Sequence, residues 1–202
     1  MTVQVHVENV FPIPIYTSTI NVDDVDIEDV SFSHNGPQTQ VFLSEDNNLL
    51  DQEKYSHLKS RIDEHMHHFY YDVFGFKKET YPDMVSSWMV KSTPLQESGW
   101  HVHGNSVFSG VVYLDVSENC GNIWFRKEEL LTGIMQPGIE HETVYNYLFH
   151  SITPAKGLLI LFPSFLFHKV DVNRSNSDRY SIAFNYFIKG HFPVRTAVLN
   201  LR

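Results

Sequence analysis

The feature that most constrains this chain is its change of character after Pro82. From there short β-rich runs follow one another: Val85 to Ser92, Gly99 to His103, Ser109 to Val116, Asn122 to Phe125, Val144 to Ile152, Gly157 to Phe162, His168 to Val172 and Arg179 to Lys189. Each is bounded by Gly, Pro, Asn or Ser, the residues that punctuate strands. About eight short strands behind a single helix predict a mainly β fold, a double-sheet sandwich of jelly-roll type.

The helix is read from Asn48 to Phe74, where Leu58, Ile62, Met66, Phe69 and Val73 recur at three- and four-residue steps and Gly75 provides the stop. It carries His65, His67 and His68. Their steps scatter them around the helix, and no carboxylate or cysteine completes a metal set, so they are expected to decorate its surface. Upstream, Val10 to Ile20 with Pro12 and Pro14 suits an edge strand, Asn21 to Asp29 an acidic solvated loop, and Ser31 to Gln40 with Asn35-Gly36-Pro37 a turn. A chain of 202 residues is expected to form one domain, with residues 1–80 supporting a jelly-roll core over residues 81–192.

Fifteen basic against twenty-four acidic side chains leave a net charge of -9, which argues against a nucleic-acid partner. The single cysteine, Cys120, rules out an intramolecular disulfide and suits a reducing cytoplasm. Met1 to Tyr16 lacks both a basic start and a continuous apolar run, so it does not read as a signal peptide. No stretch is long and apolar enough to suggest a membrane span. The same absence of a leader argues against glycosylation at Asn173-Arg174-Ser175.

His101-Val102-His103 is the first candidate for chemistry. Alternate residues of a strand point to one face, so both imidazoles would meet at one point, and His168 from a distant strand would close a metal site. Three ligands on one side of an octahedral first-row metal leave the other side open. Arg179 and Ser181 share a face of the last long run, where a guanidinium fork and a hydroxyl could grip a carboxylate. His168 and Arg179 would lie close if their two strands pair as neighbours.

The order His-x-His, Ser109-Gly110-Val111 with Tyr113-Leu114, Gly157 to Ser164, His168, and Arg179-x-Ser181-x-Ala183-Phe184-Asn185 resembles a family of 2-oxoglutarate- and Fe(II)-dependent oxygenases found in phages and bacteria. The likeness runs from about Trp88 to Ile188. It implies a double-stranded β-helix, another name for the jelly roll, and a dioxygenase that hydroxylates an unidentified substrate while converting 2-oxoglutarate to succinate. It further implies Fe(II) on His101, His103 and His168, with Arg179, Ser181 and Tyr113 binding 2-oxoglutarate. Dioxygen would be the second co-substrate, and the protein would work in the cytoplasm of a bacterial host if phage-encoded. His103 takes the place of the usual carboxylate ligand, which leaves such a centre one unit more positive. Glu97 and Asp115 are the nearby acids that could supply a missing oxygen ligand.

The alternatives are a cupin-type metalloprotein that does not use 2-oxoglutarate, and a metal-free jelly-roll binding module. Gly157, Pro163 and His168 meet the spacing of a second cupin motif, but Phe165 stands where its glycine belongs and no glutamate follows His103 as the first motif requires. Of the three tryptophans, Trp124 is expected to line the pocket. The segment between Phe125 and Val144, with Gly133, Pro137 and Gly138, has the length of a lid, and His141 and His150 are expected at the rim or surface. Edge strands of such a fold could pair two copies across a two-fold axis.

Overall fold

The structure, a computed structural model, describes residues 6–34, 40–127, 138–146, 148–193 and 199–201. The Asn35-Gly36-Pro37 turn and most of the expected lid, including Gly133 and Pro137, lie outside the described residues. In chain order the elements are β1 (Tyr16–Thr19), β2 (Phe32–His34), β3 (Phe42–Ser44), α1 (Ser56–His68), β4 (Thr80–Ser92), β5 (Ser98–His101), β6 (Phe108–Asp115), β7 (Ile123–Arg126), β8 (Phe149–Ile152), β9 (Leu158–Pro163), β10 (Phe167–Val170), β11 (Arg179–Phe192) and β12 (Leu199–Leu201).

Two antiparallel sheets face each other. The larger runs β1-β9-β6-β11-β4-β3-β2, with β12 on the far end of β11, and the smaller runs β5-β10-β7-β8. From β4 to β11 the chain passes repeatedly between the sheets, which is the double-stranded β-helix that the strand pattern predicts. The N-terminal segments extend this frame. β1 covers the edge strand β9, and the β2/β3 pair lengthens the sheet beyond β4, so Phe32–His34, at the start of the expected turn segment, is a strand.

Both faces of the larger sheet are buried, which explains why Val111 to Leu114 and Leu158 to Phe162 read as nearly continuous apolar runs. Met89, Val112, Leu159, Leu161, Ile182 and Phe184 face outward into a core shared with Leu58, Ile62, Met66 and Phe69 of the helical segment. Tyr113, Ile160 and Phe162 face inward, toward Ile123 and Phe125 of the smaller sheet. Gly110 belongs to the outward set, and a Cβ there would come within 2.4 Å of the Phe184 ring.

The helix is shorter and less regular than its sequence period suggests. Two 3-10 turns, Leu49–Asp51 and Glu53–Tyr55, precede α1, and Phe69–Val73 closes it as a π-helical turn. The wider turn adds one residue to the spiral and shifts its phase. Tyr70 is therefore buried and Val73 is exposed, contrary to the expected stripe. Gly75, at φ +69°, ends the segment in the left-handed region as expected.

A candidate metal centre and its carboxylate pocket

His101, the last residue of β5, lies directly opposite His168 on β10, and residues facing each other across an antiparallel pair point to the same side. The strand stops there. His103 sits in the loop beyond it, so the two imidazoles of His-x-His do not converge by strand alternation as expected. They converge because the His103 backbone N–H donates to the Ser164 carbonyl (3.1 Å) and folds the loop back over the cavity. Ring centroids are 4.3 Å apart for His101 and His168, 5.0 Å for His103 and His168, and 5.2 Å for His101 and His103. One nitrogen from each lies within 4.8 Å of the others, a spacing that can hold a metal ion.

Hydrogen bonds decide which nitrogen is offered. Nδ1 of His101 faces the Gly99 carbonyl (2.7 Å), Nδ1 of His168 the Leu166 carbonyl (2.9 Å) and Nδ1 of His103 the Asn185 Oδ1 (2.6 Å). A carbonyl oxygen can only accept, so each Nδ1 carries the hydrogen and each Nε2 keeps its lone pair for the cavity. Burial, reinforced by the neighbouring imidazole of His101, lowers the pKa of His168 to about 3. Burial also lowers His103. Both are therefore neutral, the form a metal requires.

The Asn185 support was not recognised from sequence, although Asn185, Ser109 and Ser164 all stand in the quoted pattern. Ser109 Oγ donates to Asn185 Oδ1 (2.8 Å), lies 2.9 Å from His103 Nδ1 and pairs with Ser164 Oγ (2.8 Å), while Asn185 Nδ2 donates to Ser86 Oγ (3.1 Å). A buried polar cluster within a β-rich run is the signal that could have revealed it. Neither Glu97 nor Asp115 joins the histidines, so among the described residues no carboxylate completes the site.

Arg179 reaches the same cavity by a route other than strand pairing. β10 and β11 belong to opposite sheets, so His168 and Arg179 face each other across the barrel rather than as neighbours along it. The chain crosses from the smaller sheet to the larger between β10 and β11, which overrides the expected pairing. Arg179 is buried at 3 % exposure, donates to the backbone carbonyls of Cys120 and Gly121, and forms no ion pair with a described residue. A buried guanidinium without a counter-charge is a receptor for an anion. Ser181 is two residues along the same face and opposite Tyr113 of β6, whose buried hydroxyl has no hydrogen-bond partner among the described residues. Burial holds that hydroxyl well above the usual phenol range, the nearby Arg179 charge offsetting part of the rise, so it remains a donor. An unpaired buried donor beside a buried cation fits a carboxylate.

All six expected site residues, His101, His103, Tyr113, His168, Arg179 and Ser181, line one cavity of about 710 Å³. Trp124 does not. It alternates with the inward Ile123 and Phe125 and stands opposite Lys169, on the outer face of the smaller sheet, while Trp88 and Trp100 border the cavity instead. Cys120 is a buried free thiol whose backbone carbonyl serves Arg179. His150 borders a second cavity of about 660 Å³, separate from the histidines. Asn173 is fully buried, with its side chain holding the carbonyls of Ser92 and Ser177.

Residues 86–185 match a family model described as "Putative 2OG-Fe(II) oxygenase". No curated protein sequence matches the chain. Among solved structures, HygX from Streptomyces hygroscopicus, crystallised with nickel and 2-oxoglutarate bound, is 13% identical with a TM-score of 0.60, covering 87% of this chain and 83% of that one. A 2OG-Fe(II) oxygenase-family oxidoreductase from Burkholderia pseudomallei is 15% identical with a TM-score of 0.54, over 87% and 73% of the two chains. A prolyl-4-hydroxylase from Pseudomonas putida is 12% identical with a TM-score of 0.52, over 77% and 76%. At such identities these likenesses establish the shared fold, and the family match over the segment that carries the histidines, Tyr113, Arg179 and Ser181 supplies the rest. The chain carries a 2OG-Fe(II) oxygenase domain and belongs to the family of 2-oxoglutarate-dependent oxygenases.

Proposed function

We propose that this enzyme hydroxylates a C–H bond of its substrate, with His101, His103 and His168 as the Fe(II) ligands and Arg179, Ser181 and Tyr113 as the 2-oxoglutarate-binding residues. The observation that carries the reading is the pairing, in one cavity, of three Nδ1-anchored imidazoles with a buried guanidinium that has no ion-pair partner and a buried phenol that has no hydrogen-bond partner among the described residues. When bound, Fe(II) supplies dioxygen activation coupled to oxidative decarboxylation of 2-oxoglutarate to succinate and carbon dioxide.

The protein's own contribution is orientation and exclusion of water. The three carbonyl acceptors fix the ring planes of the histidines, so their lone pairs are aimed before any metal arrives. Arg179 and Tyr113 can both donate to the distal carboxylate of 2-oxoglutarate, and Ser181 adds a hydroxyl on the same face. Anchoring that end leaves the keto acid end of the molecule directed toward the histidines across the barrel. Phe162, 4.7 Å from the His168 ring, and Phe125, at 6.1 Å, pack against that imidazole and limit the access of water to it.

Anaerobic addition of Fe(II) and 2-oxoglutarate tests the reading. The expected results are a weak visible charge-transfer band and, on admission of air, release of succinate. Arg179→Ala should weaken 2-oxoglutarate binding by roughly 30-fold or more, about 2 kcal/mol, while metal binding persists. Unchanged 2-oxoglutarate affinity in that variant, or metal binding that survives His168→Ala intact, would refute the assignment.

A further inference from the structure

We propose that the substrate presents an uncharged, predominantly apolar group to the histidines, entering along a wall formed by Val41, Leu43, Trp88 and Val90. The inference rests on the assignment of the site residues above and extends it to the substrate. Once the imidazoles are given to the metal and Arg179, Ser181 and Tyr113 to 2-oxoglutarate, no ionisable side chain is left among the described residues that line the cavity. A carboxylate or ammonium group entering there would be buried without a partner, at a cost of several kcal/mol.

Leu43, Trp88 and Val90 form an apolar part of the remaining wall on the larger sheet. Leu43 on β3 stands opposite Val90 on β4, and Trp88, two residues along the same face, stands opposite Ala183 on β11. Trp88 is half-buried, and its ring centroid lies 5.9 Å from that of His103, so an indole borders the metal-binding nitrogens directly. The small Ala183 leaves room beside it. Asn185, which also lines the cavity, is already engaged by His103, Ser109 and Ser86 and has little capacity to solvate a charge.

Two loops meeting beside His103 each carry an exposed apolar side chain. Bonds from His103 N–H to the Ser164 carbonyl (3.1 Å) and from Ser164 N–H to the Val107 carbonyl (3.0 Å) tie two loops together there. On them Val102 is 45 % and Phe165 67 % exposed. The expected substrate is therefore one whose charged parts stay outside while a neutral hydrocarbon or ring reaches the histidines.

The test uses three probes of one shape: benzyl alcohol, benzoate and benzylamine. Each is titrated under argon into protein saturated with Fe(II) and 2-oxoglutarate, read by tryptophan fluorescence and by perturbation of the visible band. Benzyl alcohol should bind at least about tenfold more tightly than either charged probe, a difference of about 1.4 kcal/mol. Leu43→Lys should reverse the order of benzyl alcohol and benzoate. Equal or tighter binding of a charged probe to the unaltered protein, or no saturable response to benzyl alcohol, overturns the proposal. Failure of the visible band to form before any probe is added strikes the oxygenase assignment instead. The comparison is then read by fluorescence between benzyl alcohol and benzylamine on the metal-free protein, because Arg179 would itself hold benzoate there; the alcohol should still bind more tightly, and its failure to do so is equally decisive.

Discussion

At the scale of single residues, His103 is held by a side chain 82 positions away. Its Nδ1–H bond to Asn185 leaves Nε2 as the only nitrogen available to a metal, so Asn185 acts as a positioning residue through His103. Asn185→Ala should lower metal affinity about 10- to 100-fold, measured by competition with a chromophoric chelator, whereas Asn185→Asp, which keeps the acceptor oxygen, should recover most of it. His168 makes a second prediction, in pH. Its folded pKa near 3 lies below the value of about 6.5 expected when unfolded. Above about pH 6.5 both states are neutral and the residue adds no slope. Below it the unfolded chain takes up a proton that the folded chain refuses, so apoprotein stability falls as pH decreases toward 3, by up to about 1.4 kcal/mol per pH unit. Denaturant midpoints between pH 7.5 and 4 should show this slope, and His168→Leu should flatten it. The histidines and Arg179 were legible in sequence because their residue types are rare in apolar strands. Asn185, Ser109 and Ser164 were not, because a hydrogen-bonded cluster is defined by contacts between strands.

At the scale of elements, two glycines separate packing from function. Gly121, at φ +90°, would place a Cβ 2.3 Å from the Asp171 carbonyl oxygen, and it shapes the turn whose carbonyls hold Arg179. Gly121→Ala should cost roughly 1–3 kcal/mol in denaturant unfolding and also weaken 2-oxoglutarate binding, as the turn moves away from the guanidinium. Gly110→Ala should cost a similar 1–3 kcal/mol by crowding Phe184, but on the outer face of β6, so 2-oxoglutarate affinity should stay within about twofold of the unaltered protein. Comparing isothermal titrations with melts distinguishes the two. The β-rich runs after Pro82 each contain a strand close to its expected place, because Gly, Pro and Asn interrupt strands by local backbone chemistry. Val73 and Trp124 were misplaced for the opposite reason. A π-helical turn and the outward phase of β7 depend on what each element packs against.

At the scale of the molecule, the cavity lies between sheets and draws the histidines from one side and Arg179 from the other, so its ligands should brace the two layers together. At one hundred times their dissociation constant they should add about 2.7 kcal/mol, raising Tm by about 5–10 °C for a chain of this size. Thermal melts should show 2-oxoglutarate adding to the shift only when metal is present, and a chelator should reverse it. Among the described residues no helix is long and apolar enough to cross a membrane. The amino-acid sequence alone determined the β-rich architecture and the chemical character of the candidate site residues with their order along the chain, since strand breakers, imidazoles and a guanidinium carry those properties wherever they fold. Only the tertiary structure decided that β10 and β11 lie in opposite layers, that His103 folds back beyond the end of its strand, and that Trp88 rather than Trp124 borders the histidines. Those outcomes depend on which faces become buried together, a long-range packing choice that no local run of residues contains.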